Sequence, residues 1–154
     1  MINTLNGYYK NNKLEHPTKM RILVVEDLLV MRRLIINTLK SIGYNDVLQA
    51  TNGEEALELI INPDSKIEFV ITDWLMPVMD GITLVKFLRA NPETKDIPVI
   101  MLTSMNDKDS IIEAVKYNVN DYIIKPFTPK ILQSKIEGVL NRIRYNIGPQ
   151  TKLA

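Results

Sequence analysis

The sequence predicts an α/β fold, a parallel sheet with helices on both of its faces. Three observations lead there. Short apolar runs rich in Val and Ile recur five times, as in strands buried on both sides. Segments of helical period separate them. Five such units fit into about 125 residues, and strands that alternate with helices at this spacing build parallel sheets.

Each element has its own signal. Arg21-Ile22-Leu23-Val24-Val25 is the first strand. Leu28 to Ile42 follows as a helix, with Leu28, Met31, Ile35, Leu39 and Ile42 on one stripe and Gly43 as the stop. Val47 to Ala50 is a short second strand. Asn52-Gly53 is a break, and Glu54 to Ile61 is a helix that ends before Pro63. Glu68 to Asp73 is the third strand. Pro77 and Asp80-Gly81 punctuate a loop, and Ile82 to Ala90 is a helix stopped by Asn91-Pro92. Pro98 to Leu102 is the fourth strand, Asp109 to Tyr117 a helix, and Asp121 to Ile124 the fifth strand. Thr128 as N-cap and Pro129 at the first helical position open the last helix. Its stripe is Leu132, Ile136, Val139, Leu140 and Ile143, and it ends near residue 144.

Composition narrows the function. The chain has 154 residues, 45% hydrophobic and 24% charged, which suits one globular domain and excludes disorder throughout. With no cysteine, thiolate metal sites, disulfides and cysteine catalysis are excluded. The single His16 excludes a multi-histidine metal site. No apolar run approaches the roughly 18 residues that span a bilayer. The net charge of +1 conceals a split: residues 1–20 carry +2, residues 141–154 carry +3, and residues 21–140 carry −4. A nucleic-acid-binding body would be basic instead. Residues 1–19 lack apolar period and are expected to be a flexible extension, with 20–144 the folded domain and 145–154 a tail. Met20, just before the first strand, is a candidate true start of translation.

Ligands of open parallel sheets bind beyond the carboxyl ends of the strands. Glu26 and Asp27 follow strand one, Asp73 ends strand three, Thr103 and Ser104 follow strand four, and Lys125-Pro126 follows strand five. Three carboxylates, a hydroxyl and an ammonium thus meet at one edge. Packed carboxylates repel unless protons or a cation relieve them. Hard oxygen donors without His or Cys suit Mg²⁺. A central carboxylate can attack a phosphoryl donor and become an aspartyl phosphate. Each piece also has a plainer use: Asp27 as a helix cap, Thr103 as a cap, Lys-Pro as a solvated turn. Their joint placement at four strand ends is what favours chemistry. No Gly-x-Gly-x-x-Gly follows strand one and no P-loop is present.

The stretches Ile22-Leu23-Val24-Val25-Glu26-Asp27, Ile71 to Gly81, Leu102-Thr103-Ser104 and Tyr122 to Phe127 resemble the receiver domains of two-component response regulators. The resemblance runs from residue 21 to about 140. It implies a flavodoxin-like sheet of five strands in the order 2-1-3-4-5. It implies a phosphoacceptor switch rather than an enzyme, with Asp73 taking the phosphoryl group from a sensor-kinase histidine. Asp27, Asp73 and the Leu75 backbone carbonyl would ligate Mg²⁺, with Glu26 acting through a water. Thr103 and Lys125 would contact the phosphoryl oxygens. Tyr122 would be the aromatic switch, turning inward as Thr103 moves toward the phosphoryl group. Leu75 and Met105 stand at positions that flank the path of attacking water, so slow loss of the phosphoryl group is expected.

With no output module after residue 144, the resemblance places output on helix four, strand five and helix five. Ile111 and Ile112 are adjacent and cannot both face the core. The resemblance puts Ile111 outward, near Tyr122 and Lys135, as an apolar patch with a basic rim. Within the receivers, Met31-Arg32-Arg33-Leu34-Ile35, Asp73-Trp74 and Lys125-Pro126-Phe127-Thr128 resemble the chemotaxis group. That implies a CheA-type histidine kinase as donor and the flagellar motor switch as partner, for a cytoplasmic monomer without nucleic-acid or membrane binding. The alternative is a phosphorelay intermediate or phosphate sink with no motor partner. A small-molecule enzyme or flavin carrier on a similar sheet lacks a second acid–base pair and a flavin phosphate loop here. Trp74, the only tryptophan, is expected to half-cover the acidic pocket and to report on metal binding. Gly138 weakens the last helix by about 1 kcal/mol relative to Ala, and Tyr8-Tyr9 has no assigned role.

Overall fold

A computed structural model of the protein describes residues 19–104 and 108–145. Expectations for residues 1–18, for Met105 and for residues 146–154 lie outside the described residues.

Five parallel strands form one sheet in the order β2-β1-β3-β4-β5, as the resemblance implied. They are β1 (Ile22–Val25), β2 (Val47–Ala50), β3 (Phe69–Asp73), β4 (Val99–Thr103) and β5 (Asp121–Ile124). Between and after them lie α1 (Leu29–Ser41), α2 (Gly53–Ile61), α3 (Gly81–Ala90), α4 (Lys108–Lys116) and α5 (Pro129–Arg144). Every residue of β1, β3 and β4 is buried, which explains why those runs are continuously apolar instead of alternating.

Alternation along the strands still sorts the two faces. Ile22, Val24, Phe69, Ile71, Ile100, Leu102 and Ile123 pack with Ile35 and Leu39 of α1 and with Leu132, Ile136 and Val139 of α5. Leu23, Val25, Val70, Val99 and Met101 pack with Ala56 and Ile60 of α2, Val85 and Leu88 of α3, and Ala114 of α4. Leu102 and Ile100 are fully buried, and cutting either to Ala would cost about 2–5 kcal/mol. Met20 is buried in the first of these clusters, so the chain is already part of the fold two residues before β1.

The helix ends follow their caps. Asn52 accepts from the Glu55 N–H, Asp80 from the Thr83 N–H and Thr128 from the Ile131 N–H. The first two caps start their helices one residue earlier than the apolar period alone suggests. Gly43 has φ 103°, a left-handed conformation that ends α1 and that glycine adopts without strain. Leu28 departs from the expected stripe. It is the N-cap of α1, with extended backbone at φ −79° and ψ 114°, and its side chain is 61% exposed. The helical period carried it onto the inner face only by assuming a turn that has not yet begun.

The register aligns the carboxyl ends that matter. Val25 pairs with Thr72, Asp73 with Leu102, and Thr103 with Ile124. Residues just beyond β1, β3, β4 and β5 are therefore neighbours across one edge.

Candidate functional site

Glu26, Asp27 and Asp73 meet at that edge, with one carboxylate oxygen of each lying within 4.8 Å of the others. Glu26 is fully buried, Asp73 is buried and Asp27 is half-buried. The loop after β1 is pinned at both ends. The Glu26 N–H donates to the Ala50 carbonyl at 3.0 Å, and the Leu28 N–H donates to Glu26 Oε1 at 3.1 Å. Asp73 is held from its own chain, since the Trp74 N–H donates to Asp73 Oδ1 at 2.8 Å. Behind it, the Gly81 N–H donates to the Trp74 carbonyl at 2.8 Å. A Cβ at Gly81 would overlap the Asp73 carbonyl oxygen, so only glycine lets α3 start so close to the end of β3.

Lys125 enters from β5. Its Nζ lies 2.9 Å from Glu26 Oε2 and 3.2 Å from Asp73 Oδ1, bridging the two buried carboxylates. The Lys125 N–H donates to the Thr103 carbonyl at 2.8 Å, and Thr103 itself is buried at the end of β4. Lys125-Pro126 is a cis peptide.

Burial pushes the Glu26 carboxyl above the usual carboxylate range, against the pull of the Lys125 hydrogen bond, and the charge of Asp73 adds to the rise. Burial likewise raises the Asp73 carboxyl, against Lys125 and the Trp74 N–H. For Lys125, burial works downward, but its bonds to Glu26 and Asp73 outweigh that and hold the ammonium above the ordinary lysine range. Three carboxylates with one bridging ammonium leave a net negative pocket of oxygen donors alone. That donor set fits Mg²⁺ and offers nothing to a metal that prefers nitrogen or sulfur.

The other expected residues fall into two groups. Leu75 is 58% exposed, two residues past Asp73 in the chain. Tyr122, Ile111 and Lys135 lie on β5, α4 and α5. Tyr122 is half-buried against the core, and Lys135 Nζ sits 5.6 Å from its ring centroid. Lys135 is also bonded to Asp121 at 2.8 Å, so the basic rim of that patch is partly neutralised. Ile111 is half-buried and belongs to neither core cluster, while Ile112 is the more exposed of the pair at 45%. Trp74 does not half-cover the pocket. It is 5% exposed and packs in the cluster of α2 and α3, on the face that Val70 takes four residues earlier along the strand.

Sequence reasoning missed Arg32 as a part of this edge. Its guanidinium reaches the carbonyl of Glu26 at 2.7 Å. A basic residue one helical turn after an acidic pair was the available signal.

Comparison with known proteins agrees with this geometry. The family described as response regulator receiver domain matches residues 22–137. The chain is 52% identical to the chemotaxis protein CheY1 of Helicobacter pylori over 122 residues, covering 79% of this chain and 97% of that protein. It is 49% identical to the chemotaxis protein CheY homolog of Campylobacter jejuni, covering 79% of this chain and 92% of that one. Among solved structures, the chemotaxis response regulator CheY4 of Vibrio cholerae superposes with a TM-score of 0.71 at 30% identity, over 78% of this chain and 98% of that one. A putative response regulator from Chloroflexus aurantiacus gives 0.73 at 34% identity, over 80% and 100%. With its fold, its edge of acids and its relatives in accord, the chain belongs to the response regulator receiver domain family, among the CheY-like chemotaxis regulators.

Proposed function

We propose that this protein is a phosphorylation-activated, single-domain response regulator. It takes a phosphoryl group on Asp73 from a histidine of a CheA-type sensor kinase and then binds the flagellar motor switch. Receiver domains are phosphoacceptor switches rather than enzymes acting on a separate substrate, and they generally use Mg²⁺ held in an acidic pocket. The observation that carries the reading is Lys125 bridging buried Glu26 and Asp73 beside Asp27.

In this reading an Asp73 carboxylate oxygen attacks phosphorus. The phosphorus–nitrogen bond of the donor breaks, and the imidazole nitrogen keeps the electron pair. Lys125 already lies 3.2 Å from the attacking carboxylate, so its ammonium can follow the charge onto the phosphoryl oxygens without leaving the pocket. Thr103, at the end of the neighbouring strand, supplies a hydroxyl to the same oxygens. Asp27, Asp73, the Leu75 carbonyl and Glu26 through a water are the groups to hold Mg²⁺, which when bound would neutralise charge on the transferring group. Movement of Thr103 lets Tyr122 turn inward. The surface of Ile111, Tyr122 and Lys135 then changes shape for its partner. To repopulate such a switch, phosphorylation must favour the active state by a few kcal/mol. The protein would act as a cytoplasmic monomer; among the described residues no helix is long and apolar enough to cross a membrane.

The test is a titration of the receiver-binding segment of the flagellar switch protein, with Mg²⁺ and beryllofluoride as phosphoryl mimic. Tight binding only with the mimic, and its loss in Asp73→Asn, is the expected result. Uptake of metal and mimic without partner binding would move the output to a relay or phosphate sink.

A further inference from the structure

Arg32, in the first turns of α1, reaches back to the loop that carries two of the three carboxylates. Its Nη1 donates to the Glu26 carbonyl at 2.7 Å and approaches the Asp27 carbonyl at 3.4 Å. Its Nε donates to Gln49 Oε1 at 3.0 Å, on the edge strand β2. One guanidinium thus ties together the start of α1, the end of β2 and both backbone carbonyls of the acidic pair. The planar fork of arginine allows these directions at once, and a lysine ammonium on its flexible stem would hold only part of the set.

We infer that Arg32 is a positioning residue that holds the Glu26-Asp27 backbone in the geometry that binds Mg²⁺. This rests on the reading that Glu26, Asp27 and Asp73 form the metal pocket. Two independent observations converge on it. The loop is fixed on its other side by Glu26 N–H to Ala50 and Leu28 N–H to Glu26, so Arg32 supplies the remaining restraint on the Asp27 peptide. Asp27 is also the half-buried acid of the three and so the one whose position depends most on its backbone.

The sign of the effect separates this role from simple charge. Arg32 is a cation near a cation site, so on Coulomb grounds alone its removal should tighten Mg²⁺ binding. As a positioning residue, its removal should weaken it. Outer-sphere partners of metal ligands typically change affinity about 10- to 100-fold.

The experiment measures Mg²⁺ affinity of the full chain by calorimetry and by Trp74 emission, with thermal melts in chelator alongside. Arg32→Ala is expected to weaken Mg²⁺ by about tenfold. Arg32→Lys, which keeps the charge, should weaken it as well. Arg33→Ala removes a cation from an exposed neighbouring position and should leave affinity unchanged or slightly tighter. Gln49→Ala, on an exposed edge position, keeps the test sound if Arg32→Ala does not fold; it should weaken Mg²⁺ by a smaller factor. Unchanged or tighter binding in the Arg32 variants, or a lowered melting temperature with no change in affinity, overturns the inference alone. Failure of the unsubstituted protein to bind Mg²⁺ overturns the metal pocket and this role together.

Discussion

Lys125 and Glu26 stand 99 residues apart in the chain, and their charged ends lie 2.9 Å apart in the fold. The ammonium does not fully compensate, because the Glu26 carboxyl is still raised by burial and by Asp73. The pocket therefore disfavours the charged form of Glu26, mainly through burial. Between the ordinary carboxylate range, about pH 4, and the raised folded value, the folded state binds more protons than the unfolded one. Stability must fall as pH rises through that window. Glu26→Gln should therefore melt higher than the unsubstituted protein at pH 7 in chelator, and the gap should close below about pH 4. A gain of 1 kcal/mol would appear as about 4 °C in a domain of this size. Melts across pH would check it, and an equal or lower melting temperature at pH 7 would refute it.

Leu75 is exposed two residues after Asp73, and its apolar side chain cannot orient a water. Replacing it with Asn should speed loss of the phosphoryl group by about fivefold, or roughly 1 kcal/mol of barrier. Decay of radiolabelled phosphoprotein measures this directly. An unchanged rate would reduce Leu75 to a packing residue.

Asp121 accepts from Lys135 at 2.8 Å, from Arg142 at 3.1 Å and from the Tyr122 N–H at 2.9 Å. Both cations come from α5, so this carboxylate fastens the helix to β5. Asp121→Asn should lower the unfolding free energy by about 1–2 kcal/mol, read as a lower urea midpoint with an unaltered slope. Because the pair that holds Lys135 near Tyr122 is lost, partner affinity should change as well, in the same titration used for motor binding.

Gly81→Ala should destabilise by more than about 2 kcal/mol, since the new Cβ meets the Asp73 carbonyl backbone, which has no side-chain freedom with which to yield. A variant that does fold should take up beryllofluoride poorly, because the cost falls on the backbone of Asp73, the proposed phosphoacceptor. Normal uptake and normal stability together would show that α3 can shift freely.

The sheet was legible because β1, β3 and β4 are buried on both faces and announce themselves as apolar runs, and the partly buried edge strands β2 and β5 were recovered to the residue between their flanking breaks. The acids at the edge were legible because a parallel order brings every carboxyl end to the same side. Leu28 was misplaced because periodicity does not sense where an N-cap interrupts the helix. Trp74 was misplaced because strand alternation, which puts it on the buried face of Val70, was not carried past Asp73. The bridge from Lys125 to Glu26 and Asp73 is a tertiary fact, set by side-chain direction across strands, and no spacing in the chain encodes it, whereas the reach of Arg32 to the Glu26 carbonyl is local.

All three carboxylates of the pocket lie before residue 74, while Thr103 and Lys125 lie after residue 102. The boundary between these halves runs along the β3–β4 ladder, from Val70 and Val99 to Asp73 and Leu102. A protein cut in the exposed turn after α3 would yield one piece with the acids and one with the hydroxyl and the ammonium. Neither piece would carry the full set, and function would return only when the two strands rejoin. In the proposed reading the chemistry would be a reporter of assembly: phosphorylation of Asp73 would require that the two halves of the sheet be zipped together.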